Sequence, residues 1–362
     1  MEKVGTLPPQ RATGVDAGRF VMALLVIVLH AFPVSLPGRD IASMPAWPIP
    51  FIAVARMAVP YFFVASGYFL RTPPSLRAAI VAPLTRIMPI YAITLAGYAV
   101  LLWLDPLRHV NWTILGIIRG DVIAPLWFLQ ALIAAQMLVG VGLFLGRPRT
   151  ACVVTLVLAL CGPVLADYIP LITHHAYPWR LVPILRHLEA PVLVWVGTQI
   201  HRMRVMPVWF CFCGILMSLG CLLGEQSLIT AIWHSPGLIE PDVVCATFPL
   251  GIFAFCLARS LNAPAWFARL GALSLNVYLI HFGFIMAFRT IWPLPDPHDS
   301  ILVAVLAMVC ATLGALGLRM VSVYWQTIRT PALQLPRGNK DENAATIKST
   351  EELSRADNQT ND

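Results

Sequence analysis

The chain is predicted to be an all-α, multi-pass membrane protein with about ten transmembrane helices and both termini in the cytoplasm. Three observations carry this expectation. Hydrophobic residues fill 58% of the 362 positions and charged residues 12%, with a mean hydropathy of +0.74, a balance that a water-soluble domain of this size does not keep. Ten apolar runs approach the roughly 17–25 residues that cross a hydrocarbon core of about 30 Å. Lysines and arginines separate by side when these runs alternate across the membrane.

The first run, 20–37, follows Arg19 and carries His30. It is a full span with no small-residue cleavage site after it, so it reads as a helix and not as a removable signal. The second, 50–70, contains Arg56 about seven residues in, and the third, 87–104, begins after Arg86. The fourth, 123–145, includes Trp127, and the fifth, 151–171, follows Arg147 and Arg149. The sixth, 188–201, is the shortest and holds Glu189, Thr198 and Gln199. Runs at 206–223, 243–258, 270–288 and 301–319 complete the set.

With an inward amino terminus, eighteen of the 25 lysines and arginines fall on the cytoplasmic side, six outside and one, Arg56, within a span. A wrong count in the middle of the chain would scramble that segregation. The net charge of +7 therefore follows membrane topology and does not point to nucleic acid. All eight cysteines lie within or at the ends of apolar runs, where they read as small hydrophobes. Cys211 and Cys213 make only a C-x-C pair, weak grounds for a metal, and no metal site is expected. Residues 1–13 read as a cytoplasmic segment, 14–325 as the membrane domain, and the polar stretch 326–362 as a disordered cytoplasmic tail. No inverted repeat of the transporter kind is evident.

Charged and titratable groups inside a bilayer are costly and are candidates for function. His30 lies eleven residues after Arg19, three helical turns plus about 20°, so the two share a face about 16 Å apart. That stripe sets a cation at the cytoplasmic edge and an imidazole near the membrane middle. His281 lies twelve residues after Arg269 in a span of the same direction, which puts the two imidazoles at similar depth. Arg56 comes from the outer side and needs a polar partner or must reach back to the surface. Read from spacing alone, each histidine has a second reading as a hydrogen-bonded packing residue, which weighs more for His281 than for His30, and Arg56 is equally a structural ion-pair or carbonyl-bonding group.

Five blocks tie these residues to a known pattern. Gly14-Val-Asp16-Ala-Gly18-Arg19, with His30 beyond it, resembles the opening signature of the acyltransferase-3 family, membrane O-acyltransferases that decorate bacterial polysaccharides. Arg56-Met-Ala-Val-Pro60 through Ser66-Gly67, Arg86-Ile-Met-Pro89-Ile-Tyr91, Leu126-Trp127-Phe128-Leu129 and Ser274-Leu-Asn-Val-Tyr278-Leu-Ile-His281 resemble later blocks in the family's order. The resemblance runs from residue 14 to about 320. Many longer members place a Glu shortly after the fourth-span Trp, whereas this chain has Gln130. It resembles the shorter branch without a fused SGNH domain, and residues 14–325 become a transmembrane acyltransferase domain.

The resemblance implies transfer of an acyl group, of O-acetyl or O-succinyl type, from acyl-CoA to a hydroxyl of a surface or secreted polysaccharide or its lipid-linked precursor. No bound cofactor is implied; acyl-CoA is the co-substrate. His30 is the matching position for a general base or acyl-accepting centre, since a largely neutral imidazole suits proton removal at cellular pH. Arg19 would hold the phosphates or pantetheine of CoA, helped by Arg71, Arg77 and Arg86 through the planar donor fork of guanidinium. Arg56 would stabilise the oxyanion or hold the glycan. Ser66, Trp127, Tyr278 and His281 are secondary candidates, with Ser66-Gly67 reading first as a close helix contact. The outer connections at 38–49, 105–122, 172–187, 224–242 and 289–300 suit a bulky acceptor. A bacterial inner membrane, its lipid, and a polysaccharide synthase or export complex are the implied surroundings. A transporter or flippase for a glycan precursor, or a non-catalytic synthase subunit, are the rival readings.

Overall fold

A backbone in lipid must satisfy its own hydrogen bonds, and helices do so within one segment. The computed structural model describes residues 13–32, 49–103, 113–119, 122–169, 185, 187–232, 245–291 and 297–329, and among these there is no strand. Helices α1 (Thr13–Ala31), α2 (Ile49–Ala55) and α3 (Ala58–Tyr68) open the chain. They are followed by α4 (Leu76–Trp103), α5 (Ile114–Arg119), α6 (Trp127–Phe144) and α7 (Pro148–Pro163). The second half holds α8 (Ala190–Ile200), α9 (Val208–Ile232) and α10 (Thr247–Ser260). Last come α11 (Ala265–Leu270), α12 (Ser274–Ile291) and α13 (Pro297–Arg329).

The protein is an all-α, multi-pass membrane protein. Every one of the ten expected runs contains helix, but among the described residues seven stretches are long and apolar enough to cross a membrane, with 148–163 and 247–260 as shorter apolar helices. The sixth run is the shortest here too, with eleven residues in α8 after a single 3₁₀ turn, His187–Glu189. Several expected boundaries are corrected. The third span starts eleven residues earlier than its apolar run, at Leu76. Helix α9 runs on to Ile232, so Glu225 lies in a helix and not in the outer connection 224–242. The expected connections 105–122 and 289–300 include α5 and both ends of a helix pair, α12 and α13. Residues 326–329, expected in the tail, are helical; the rest of the tail and the segment 1–12 lie outside the described residues.

The first helix begins at Thr13 and ends at Ala31, not at 37. Pro33 has no N–H to continue the ladder and biases its predecessor away from helical angles. His30 is consequently in the last turn of α1, not near its middle. The second span is broken at Arg56-Met57. Pro60 cannot donate to the carbonyl four residues back, that of Arg56, while the bonds Arg56 N to Ile52 O (3.0 Å) and Tyr61 N to Met57 O (3.0 Å) hold on either side. The kink has its cause in that proline.

Without a solvent that expels apolar surface, helices in lipid associate by close packing. Helices α3 and α8 touch backbone to backbone: a Cβ on Gly67 would stand 1.9 Å from the Val194 carbonyl oxygen, and one on Gly197 2.1 Å from that of Val64. At the start of α1 a Cβ on Gly14 would meet the Ala258 oxygen at 2.1 Å, and Tyr61 Oη donates to the Val15 carbonyl at 3.1 Å. These contacts seat the helix that carries Arg19. Arg259 caps the end of α8 by donating to Ile200 O (2.9 Å), which also accepts from Met203 N (3.1 Å), and to Met203 O (2.7 Å) just beyond the helix. Glu225 starts α10 in the complementary way. Its carboxylate accepts from Cys245 N and Ala246 N, both at 3.1 Å, and from the Tyr168 hydroxyl.

The chain divides into two compact units, Met1–Ala315 and Leu316–Asp362. The described part of the second is the end of α13, exposed from Gly317 to Trp325.

Candidate active site

Helices α1 and α12 run side by side in the same direction. Arg19, in the second turn of α1, shares a cavity wall with Ser274 and Tyr278 at the start of α12, and eleven residues later the ring of His30 lies 5.5 Å from that of His281. The two imidazoles are at a common level. Beyond them Arg289 Nη2 donates back to the carbonyls of His30 (3.0 Å) and Ala31 (3.3 Å), capping the end of α1.

The two histidines differ in setting. His30 is half-buried and has Phe282 edge-on at 5.7 Å. His281 is fully buried; its Nδ1 is 2.5 Å from the Tyr278 carbonyl, and its Nε2 has no hydrogen-bond partner among the described residues. Two tyrosines fix α12 around it. Tyr278 donates its hydroxyl to the Pro125 carbonyl. Tyr98 of α4 donates to Leu279 O (2.8 Å) and accepts from Gly283 N (3.2 Å), which inserts its hydroxyl into one rung of the helical ladder.

Toward the other end lies a cavity of about 290 Å³ lined by Arg19, Ser66, Arg86, Gln136, Ser274 and Tyr278 among apolar side chains. Arg19 has its own carboxylate nearby, Asp16 Oδ1 at 3.9 Å, a loose and partly exposed pair worth little by itself. A second cavity, about 480 Å³, is lined by Arg71, by the α3–α4 connection at Thr72 to Pro74, and again by Ser66, Arg86 and Gln136. The shared wall is a hydrogen-bonded chain. Arg86 Nη2 donates to Gln136 Oε1 at 2.7 Å, and Gln136 Nε2 donates to Ser66 Oγ at 2.5 Å.

Of the residues singled out from sequence, the structure brings His30 together with His281, and Arg19 with Arg86, Ser66 and Tyr278; Arg71 joins Arg86 at the larger cavity. Arg56 is half-buried at the α2–α3 break, away from both cavity walls. Arg77 is exposed in the first turn of α4 and lines neither cavity. Trp127 stacks on His187 (6.1 Å, 13° between planes), outside the two cavity linings. Gln130, where longer relatives carry Glu, donates to Ile117 O at 2.5 Å, a bond an ionised carboxylate is unable to make. Sequence reasoning missed Gln136 and Arg289. An amide within an apolar span was the available signal for Gln136; Arg289 was counted as an outer-loop charge. No group of three His, Cys, Asp or Glu side chains suited to a metal occurs among the described residues.

Guanidinium, amide, hydroxyl and imidazole groups turned inward among apolar helices define a membrane protein built around an intramembrane polar site. The comparison with protein families gives that class its chemistry. A model of the acyltransferase domain of the acyltransferase-3 family matches residues 13–320, and the chain belongs to this family and is a membrane acyltransferase. No curated protein and no solved structure matches it.

Proposed function

We propose that the protein transfers an acyl group from acyl-CoA to a hydroxyl of a surface or secreted polysaccharide, or of its lipid-linked precursor, across a bacterial inner membrane. The observation that carries this reading is the continuous polar line along α1 and α12: a cavity with Arg19 and Arg86 at one end, then Tyr278, whose ring is 5.8 Å from His281, then His30. One end offers cations for phosphate and the other a base for a hydroxyl. With both termini in the cytoplasm, the arginine end faces the donor and the histidine end the outer surface.

In the reaction, His30 takes the proton of the acceptor hydroxyl as its oxygen attacks the thioester carbonyl. The tetrahedral intermediate collapses with loss of the CoA thiolate, which receives that proton from His30; an ester has formed and a thioester has broken. Arg19, Arg86 and Arg71 hold the donor's phosphates by paired N–H donors, and Arg77 adds only longer-range attraction. Arg56 stabilises the oxyanion or holds the acceptor. Acetyl and succinyl donors both fit this scheme. The test is His30→Ala: the purified protein with labelled acyl-CoA and glycan should lose transfer, and the cells should lose acyl groups from their polysaccharide at unchanged protein level. Retained transfer would remove His30 from the mechanism.

A further inference from the structure

We propose that His281 is a positioning residue for His30, a neutral imidazole whose Nε2 accepts a hydrogen bond from the ring N–H of His30. The inference rests on the reading of His30 as the base and gives that base its orientation. A carbonyl oxygen only accepts, so the 2.5 Å contact of His281 Nδ1 with Tyr278 O places the ring proton on Nδ1. In a neutral imidazole the lone pair is then on Nε2. That nitrogen is buried and has no partner among the described residues, although buried acceptors are nearly always matched.

The two neighbouring hydroxyls are committed elsewhere. Tyr278 gives its single hydroxyl proton to Pro125 O and Tyr98 gives its own to Leu279 O; Phe282 has none to give. The imidazole of His30, centred 5.5 Å away and tilted by 32°, does have one. Ring nitrogens stand about 1.1 Å from the centroid, so facing edges bring them to about 3.3 Å, at the long end of hydrogen-bonding reach. The His30 ring reaches that pose by turning about χ2, a broad torsion for imidazole, while Arg289 holds the backbone carbonyls at this point of α1.

The consequence is a fixed tautomer. With its N–H on His281, His30 presents the lone pair of its other nitrogen outward to the acceptor hydroxyl. When that nitrogen takes the proton, the bond to His281 becomes charge-assisted and stronger. His281 neither gains nor loses a proton in the cycle.

The deciding experiment uses the full-length protein in lipid vesicles, labelled with ¹⁵N-histidine, and needs no substrate. His30→Ala should move the His281 Nε2 resonance, and His281→Leu should replace the single tautomer of His30 by a mixture. An unmoved His281 resonance in the first variant, or an unchanged His30 tautomer in the second, overturns the proposal. Acyl content of the polysaccharide in cells supplies a second readout. His281→Leu should lower transfer about hundredfold, the lower end of what general base catalysis contributes. His281→Gln, whose amide oxygen accepts a hydrogen bond, should restore most of it at equal protein level. Equal activity of the Leu and Gln variants also counts against the proposal. If His30→Ala keeps its acyl transfer while the resonances shift as expected, the pairing stands and the assignment of the base fails.

Discussion

Replacing Gln136 by Leu would test whether the wall between the two cavities aims Arg86 at the donor. Gln136 is only 3% exposed, and among the described residues its side chain makes two hydrogen bonds, to Arg86 at 2.7 Å and to Ser66 at 2.5 Å. Leucine keeps about the same bulk and removes both. A hydrogen bond to a charged group contributes about 1.5–3 kcal/mol, and about 1.4 kcal/mol is tenfold in an equilibrium constant. If the bond to Gln136 holds the guanidinium where a phosphate binds, KM for acyl-CoA should rise about tenfold to hundredfold, with kcat changed by less than about threefold. Ser66 can turn its hydroxyl to the carbonyl four residues earlier, so thermal unfolding in detergent should shift little. Initial rates with labelled acyl-CoA over a concentration series give both constants. Arg86→Ala and the double variant close the cycle, and the double variant should be no worse than Arg86→Ala alone. An unchanged KM in the Leu variant, or full additivity in the double variant, would refute the proposed link between Gln136 and Arg86.

Gly67→Ala should lower stability by about 1–3 kcal/mol, the cost of overpacking, because its new methyl would lie 1.9 Å from the backbone oxygen of Val194; a thermal melt in detergent equal to that of the parent would contradict the backbone contact of α3 with α8. Glu225→Leu should cost about 1–2 kcal/mol through loss of its cap, since the Cys245 and Ala246 amides lose their acceptor. Glu225→Gln, which keeps an acceptor oxygen, should cost less, and the order of the two melting temperatures checks the assignment.

The helical character of the ten segments was legible because apolar length is a property of the chain in one dimension. So was the shared face of Arg19 and His30, which depends only on helical pitch. The break at Arg56-Met57 could have been read from Pro60, whose missing N–H acts four residues upstream, but the apolar run passes over it without interruption. What spacing does not carry is the meeting of distant segments. Gln136 lies fifty residues from Arg86, and Arg289 lies 259 from the carbonyl of His30 that it caps. The partner of an intramembrane polar group is set by which helices touch, and that follows from small residues such as Gly67 and Gly197 meeting face to face.

Arg259 and Arg289 were both counted as charges that orient the chain in the membrane, yet each spends its guanidinium on the carbonyls at the end of another helix. Taking one from each side changes eighteen against six to seventeen against five, so the bias behind the proposed orientation survives without them. For anyone re-engineering insertion, these two positions make poor levers. A lysine at either would be neutral for the translocation machinery, which reads charge, and harmful to the fold, which needs the planar fork that an ammonium group does not offer.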